Sequence, residues 1–292
     1  MLKSILKKVI PGVSWQNPAL NILFKILDPI DYAVRKLNGL SYLPLYSIRV
    51  RSNGISHQFG GRTFYRFGCQ LAEHLKMYAS LNRQSRVLEI GCGCGRTAFA
   101  LSAILDDGGF DGLDIEKKSI ASCQQNKLFC RKKFRFHFLD VQNNEYNPTG
   151  SSRADSYKFP YADNEFDVIF LVSVFTHMLT NDVENYIAEI SRMLKPGGVC
   201  MLTTFLMDKG RQSKGMSFPY KEMDHYFFDR VLPEVAVGYS AKFFITHFSS
   251  QGLVQIHDVL WGSWRNSSQV LSTSGFSQDI LFFQKQITGR TS

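Results

Sequence analysis

The stretch Val87-Leu88-Glu89-Ile90-Gly91-Cys92-Gly93-Cys94-Gly95-Arg96-Thr97-Ala98 constrains the fold more than any other part of the chain. A short apolar run delivers a carboxylate, then a turn with glycine at alternate positions, and helix-forming residues follow at once. Glycine takes positive φ without steric cost and lets a ligand come close to the backbone. Such a turn belongs where a strand feeds a helix, and its N–H groups can hold polar groups of a ligand.

The flanking sequence repeats the alternation. A helix is expected over 67–79, then the strand 86–90 and a helix over 97–105. A second strand (109–114), a helix (119–130) and a third strand (134–140) follow. Beyond a turn-rich insert come a strongly apolar fourth strand (166–172) and a helix (183–194). Lys195-Pro196-Gly197-Gly198 should end that helix, because proline cannot continue it and glycine supplies the turn. A fifth strand (199–205) runs on directly. Strands separated by helices imply βαβ units and a mostly parallel sheet.

The last third differs. Residues 206–238 are polar, aromatic and turn-rich, a helix is expected near 241–250, and strands follow at 254–260 and 279–284. Two strands with no helix between them read as a terminal antiparallel hairpin. Residues 1–64 lack the alternation and read as a helical N-terminal extension or cap. The main domain is then 65–292, with an insert at 206–240. The fold class is α/β, a seven-stranded, mostly parallel sheet.

A hydrophobic fraction of 44% and a charged fraction of 20% suit a folded chain with a sizeable core and exclude disorder. The net charge of +9 invites a nucleic-acid reading. The densest clusters are Lys7-Lys8, Lys117-Lys118 and Arg131-Lys132-Lys133, too small for a nucleic-acid groove and better read as solvated faces. Six cysteines show no Cys-x-x-Cys pair, so no metal site is expected, and free buried thiols in a reducing cytoplasm are the simplest account.

Near the N-terminus, Lys7 and Lys8 interrupt the apolar residues, which argues against a signal peptide. Leu2, Ile5, Leu6 and Val9 oppose Lys3, Lys7 and Lys8 at helical spacing, and a second apolar segment occupies 20–27. Peripheral contact with an anionic membrane and docking on the protein's own core both stay open, the latter being the commoner outcome. The expected location is cytoplasmic, peripheral membrane attachment included.

Asp114 ends the second strand about 20 positions after the glycines, and Asp140 ends the third. With Glu89 they place three carboxylates at successive strand ends, the edge where open α/β sheets bind ligands. An acid at the position of Asp114 can accept from both hydroxyls of a ribose.

Glu89-Ile90-Gly91-Cys92-Gly93-Cys94-Gly95 resembles the E/D-x-G-x-G-x-G first motif of class I S-adenosylmethionine (SAM)-dependent methyltransferases and differs in glycine spacing from the dinucleotide G-x-G-x-x-G. The likeness extends over 65–205 and includes Phe166-Asp167-Val168-Ile169 and Leu194-Lys195-Pro196-Gly197-Gly198. It implies a Rossmann-like SAM-binding domain that releases S-adenosylhomocysteine. By the resemblance, Gly91, Gly93 and Gly95 line the methionine moiety, with Cys92 and Ser173 beside it. Asp114 binds the ribose, Asp140 contacts the adenine amine, and Ile115 and Val141 sandwich the ring. Glu89 orients the loop or binds the amino group through water. The general style is similar to type 11/25-like methyltransferases of bacterial glycan and secondary-metabolite type.

Ser173-Val174-Phe175-Thr176-His177-Met178 follows the fourth strand, a segment that often supplies catalytic side chains in this superfamily. His177 is the candidate general base, since an imidazole titrates near neutrality; packing alone is the competing account. His57, His225, His247 and His257 each read as structural, and Asp163 and Asp167 as turn and strand-start residues. No Asn/Asp-Pro-Pro-aromatic motif follows the fourth strand, as amino-methyltransferases of adenine and cytosine carry, so nucleic acid is not the expected partner. The insert aromatics, among them Phe205, Phe218, Tyr220, Tyr226 and Phe228, interleave with Arg211, Lys214 and Asp224 and would either wall an acceptor site or pack on the sheet. Trp261-Gly262-Ser263-Trp264-Arg265 reads as an exposed aromatic pair. The expectation is O-methylation of a small molecule, sugar or lipid-linked glycan. The alternatives are a nucleic-acid or protein methyltransferase and a non-catalytic SAM-binding protein. The oligomeric state is not legible.

Overall fold

Short apolar runs bounded by turn residues become the central strands, because both their faces are covered and only the backbone ladder satisfies their N–H and C=O groups. The computed structural model describes residues 18–54, 58–208, 216–265 and 272–287. Three helices come first: α1 (Pro18–Leu37), α2 (Tyr46–Asn53) and α3 (Arg62–Tyr78). The alternating part comprises β1 (Val87–Ile90), α4 (Arg96–Leu101), β2 (Phe110–Asp114), α5 (Lys117–Gln124), α6 (Lys127–Arg131), β3 (Arg135–Phe138), β4 (Phe166–Leu171), α7 (Thr180–Met193) and β5 (Leu194–Thr204). Strands β6 (Tyr220–Glu222), β7 (His225–Phe227) and β8 (Val237–Tyr239), helix α8 (Ala241–Ser250) and strands β9 (Leu253–Gln255) and β10 (Asp279–Lys285) complete it.

The main sheet has seven strands in the order β3-β2-β1-β4-β5-β10-β9. The pairs β1–β4, β2–β3 and β4–β5 are parallel, while β10 runs antiparallel to both β5 and β9. The fold is the expected Rossmann-like one. Strand order reverses at β1 and β4, so the switch point of the sheet lies beyond their carboxyl ends.

Four local expectations are corrected. The helix expected over 119–130 is two, because Asn126 starts a second by accepting from Leu128 N at 3.0 Å. The helix does end just before Lys195-Pro196-Gly197-Gly198, at Met193, but that segment lies inside β5 rather than in a turn, opposite a register shift between Phe166 and Val168. Gly197 there has φ of 81°, which a glycine tolerates. The turn-rich insert contains an antiparallel three-stranded sheet, β6-β7-β8. The basic residues of the N-terminal amphipathic segment, and His57, Arg211 and Lys214, lie outside the described residues. All six cysteines are free; Cys130 is exposed and Cys69 half-buried rather than buried.

The described residues divide into two compact units. One contains those up to Glu73 together with Cys92–Phe138. Its helical part is organised by Asp31, which accepts from Arg35 Nε at 2.7 Å, Arg49 Nη2 at 2.6 Å and Gly60 N at 2.8 Å. Both arginines are buried, and their Nη groups also reach the carbonyls of Leu43, Pro44 and Gln58. A buried charge is tolerated only when paired and hydrogen-bonded in this way.

The other unit holds His74–Gly91 and the residues from Leu139 onward. Its long connection before β10 is fixed by the buried Asp279 carboxylate, which accepts from both Nη atoms of Arg265 (2.8 and 2.9 Å), Gly262 N (2.7 Å), Leu206 N (2.8 Å) and Trp264 Nε1 (2.9 Å). Trp264 is therefore not half of an exposed pair. It packs with Phe205, Phe218 and Met207 in a buried cluster, under the Arg265 guanidinium. Replacing Asp279 with Ala strands a buried arginine and is expected to lower stability by about 3–5 kcal/mol in urea unfolding. A loss below about 1 kcal/mol would mean that the carboxylate does not hold the connection.

Candidate functional site

Gly91, Gly93 and Gly95 have φ of 79°, 53° and 83°, so the alternate glycines are required by the turn's own backbone. A Cβ on Gly95 would come within 2.9 Å of Phe129, and one on Gly93 within 3.0 Å of Ser52 Cβ. The expectation that the loop's N–H groups face a ligand is modified. Cys92 N donates to Leu113 O at 2.9 Å, Gly95 N to Cys92 O at 3.0 Å, and Gly93 N to Asp114 Oδ2 at 2.6 Å. Cys92 and Cys94 are buried, so the small side chains of the turn serve packing.

Asp114 ends β2 with Oδ1 accepting from Glu116 N at 2.7 Å and Oδ2 from Gly93 N. Removal from water outweighs these bonds and pushes its pKa up to about 6. A buried carboxylate at a strand's carboxyl end makes Asp114 a candidate site residue. Glu116 caps α5 through Ser119 N at 2.8 Å and pairs with Arg51 of α2 at 3.0 Å. Ser52 Oγ lies 2.6 Å from Ser119 Oγ. The end of α2 thus rests on the acid-bearing turn, a contact that the sequence did not reveal. Ile115 is half-buried beside Asp114.

At the switch point, a Cβ on Gly91 would lie 2.3 Å from Val174 Cγ2, which holds that position to glycine. Ser173 follows β4 with φ of 61°, a left-handed conformation costly for a non-glycine residue. A ring of hydrogen bonds holds it there. Ser173 N donates to Thr203 Oγ1 (2.8 Å), Thr203 Oγ1 to Gln278 Oε1 (2.5 Å) and Gln278 Nε2 to Ser173 Oγ (2.8 Å), with Thr176 Oγ1 3.0 Å from that oxygen. Glu89 is buried within β1. Asp140 is exposed and accepts from Ser151 Oγ at 2.7 Å and Asn147 Nδ2 at 3.2 Å, whereas Val141 is buried.

His177 sits on the single turn Phe175–His177, and its Nδ1 lies 2.8 Å from the Glu234 carbonyl oxygen and 3.2 Å from Glu145 Oε2. A carbonyl only accepts, so Nδ1 carries the proton and Nε2 is the basic nitrogen. Tyr146 OH is 3.5 Å from Nε2, its ring edge-on to the imidazole. Asn143 arranges this group: its Oδ1 accepts from Glu145 N and Tyr146 N, and its Nδ2 donates to His177 O at 3.0 Å. Glu234 comes from the insert and accepts from Asn144 Nδ2 at 2.6 Å.

Glu145, Tyr146 and Glu234 were missed by sequence reasoning. The available signal was Asn143-Asn144-Glu145-Tyr146 directly after the Asp140 strand end, an Asx turn that presents an acid. Two of the other histidines have contacts inside the protein. His225 is buried against Thr180 Oγ1 at 2.9 Å, its pKa lowered by burial, and His257 lies 3.1 Å from Tyr78 O. Asp167 binds Arg86 N and Lys195 at the start of β4.

Residues 88–202 match the family model described as methyltransferase domain. That segment, about two fifths of the chain, matches a methyltransferase domain, and the match implies SAM as cofactor. The chain is 26% identical over 138 residues to tRNA N(3)-cytidine methyltransferase METTL2 of Gallus gallus, covering 47% of this chain and 34% of that protein. It is 30% identical over 130 residues to phthiotriol/phenolphthiotriol dimycocerosates methyltransferase of Mycobacterium tuberculosis, covering 43% and 41%. The match thus spans about a third to two fifths of those relatives' length. Among solved structures, the PH0226 protein of Pyrococcus horikoshii aligns over 83% of this chain and 98% of its own, at a TM-score of 0.55 and 15% identity, a likeness of fold alone.

The raised Asp114 pKa has a definite sign for stability. The folded state holds its proton more tightly than the unfolded chain, so the stabilisation is full below pH 3.8 and lost as pH rises through about 6. Wild-type stability relative to Asp114→Asn should therefore fall by about 1–2 kcal/mol between pH 4 and 7, allowing for partial exposure. A pH-independent difference in urea unfolding would refute the desolvation.

Proposed function

We propose that this chain transfers a methyl group from SAM to a hydroxyl of a small molecule, sugar or lipid-linked glycan, with His177 as general base. The observation that carries this reading is the Glu234 carbonyl at 2.8 Å from Nδ1, which places the proton of the neutral imidazole on Nδ1 and makes Nε2 the nitrogen able to accept one. The assignment takes 1–64 as an extension and 65–292 as the methyltransferase domain, with 206–240 contributing acceptor contacts.

The residues present fit SAM. A turn stripped of side chains by Gly91, Gly93 and Gly95 allows close approach, and Asp114 keeps a carboxylate at a strand end suited to ribose hydroxyls. We assign Asp140 to the adenine amine, Ile115 and Val141 to the ring, and Glu89, Cys92 and Ser173 to the methionine side. The chemistry supplied when SAM is bound is a methyl on a positively charged sulfur, open to in-line displacement.

His177 Nε2 then takes the proton of the acceptor hydroxyl as its oxygen attacks. The Glu145 carboxylate, 3.2 Å from Nδ1, stabilises the imidazolium that results, and the Asn143 bonds keep ring and carboxylate in register. Orientation supplies most of the rate in such a displacement.

A second reading, methylation of RNA, is favoured by the tRNA methyltransferase relative and the charge of +9. Labelled methyl transfer into lipid, small-molecule, protein and nucleic-acid pools of an extract distinguishes the two. Label in the lipid or small-molecule pool, reduced about 10²–10⁴-fold by His177→Ala, supports O-methylation with this base. Label in RNA, with steeply salt-dependent binding, supports the second reading. Equal label from the variant removes His177 as base.

Asp114 gives a separate check by calorimetry with S-adenosylhomocysteine. Because the ionised carboxylate accepts from both ribose hydroxyls, affinity should weaken about tenfold from pH 7 to pH 5. Asp114→Ala should cost about 1–3 kcal/mol at pH 7. Unchanged affinity in the variant would remove the ribose assignment.

A further inference from the structure

Helix α1 has a buried face and, opposite it, an exposed apolar one. Its inner face packs Phe24 on Tyr46 and Val50, and it buries Asp28, Asp31 and Arg35. On the outer face Ile22, Ile26, Ile30 and Leu37 are 60, 64, 57 and 89% exposed, and Leu23 is 49% exposed. Spacings of four residues, then seven, align these side chains in one stripe along the helix. More than half of the large apolar side chains exposed among the described residues lie between Ile22 and Phe59. A concentrated exposed apolar patch marks an interaction surface.

Charge narrows the choice of partner. Both carboxylates of α1 point inward, Asp31 to the arginines and Asp28 to Ser47 N (2.9 Å) and Oγ (2.7 Å). The charged residues that α1 exposes are Lys25 and Lys36, and at 100° per residue both fall on one flank of the stripe. Lys3, Lys7, Lys8 and Lys25 all precede the first acid in the sequence, Asp28. A second copy of the chain could cover the apolar stripe but would bring the same lysines, with no acid on this face to meet them. RNA would satisfy the lysines and leave the stripe in water. An anionic bilayer satisfies both.

We propose that the outer face of α1 lies in the interfacial layer of an anionic lipid membrane. Ile22, Ile26, Ile30 and Leu37 enter the acyl boundary, and Lys25 and Lys36 extend to headgroup phosphates. The contact is monotopic, since among the described residues no helix is long and apolar enough to cross a membrane. It extends the functional reading by naming where a lipid-linked acceptor is met, yet it is tested by binding without turnover.

The full chain is mixed with vesicles of phosphatidylcholine alone or containing phosphatidylglycerol, and the bound fraction is read by co-flotation. Wild type should float with the anionic vesicles. Ile26→Ser/Ile30→Ser should weaken partitioning at least about tenfold. Lys25→Glu/Lys36→Glu should remove the preference for phosphatidylglycerol. Unchanged unfolding midpoints and S-adenosylhomocysteine binding in both variants keep a folding defect, or failure of the methyltransferase reading, separate from failure of the membrane proposal. Absence of wild-type flotation, full flotation of the isoleucine variant, or a concentration-dependent dimer that this variant dissolves would each overturn it.

Discussion

The Asp114 carboxylate is the constraint from which the glycine turn after β1 is organised. One oxygen holds Gly93 N and the other Glu116 N, so a single side chain fixes both the glycine turn and the start of α5. Glu116 passes the restraint on to Ser119 and to Arg51 of α2. The turn is therefore preorganised by the protein, and its amides at Cys92, Gly93 and Gly95 are committed internally. What such a turn offers a ligand is proximity and a carboxylate, rather than a nest of free N–H groups. That suits a nucleoside carrying hydroxyls and a cationic sulfur better than it suits a pyrophosphate, which would need those amides.

The His177 neighbourhood follows a related logic. Its imidazole is oriented by a backbone carbonyl of the insert and by a carboxylate from the loop after β3, two segments far apart in sequence. A neutral imidazole held through Nδ1 by a backbone carbonyl keeps one tautomer. The insert thus orients the imidazole through its main chain at Glu234.

The mostly parallel sheet with its antiparallel final pair, and the glycine turn, were legible because each rests on local rules: period, spacing and φ. The fold followed from the alternation of strand and helix alone. Misread elements were those in which a neighbour distant in sequence decides the outcome. Trp264 reads as exposed beside Gly262 and Ser263, yet Asp279 draws its indole N–H inward. Lys195-Pro196-Gly197-Gly198 has the composition of a helix stop and is also the bulge with which β5 begins opposite Asp167. Glu145 and Glu234 carry no periodic signal, since they reach His177 through loop geometry that only the folded chain sets.

The same separation explains why the acceptor is harder to read than the cofactor. A nucleoside cofactor presents the same groups whatever the acceptor, so its recognition can be written into a fixed turn and a fixed acid. Displacement at a methyl carbon asks only for an aligned nucleophile and a route for its proton, and no fixed set of side chains supplies them. The parts of this chain added to the sheet are the β6-β7-β8 insert and the N-terminal helices. In α1 that added surface bears on the environment rather than the reaction: the acids are spent inside the protein and the apolar stripe outside it, a distribution that folding alone does not require.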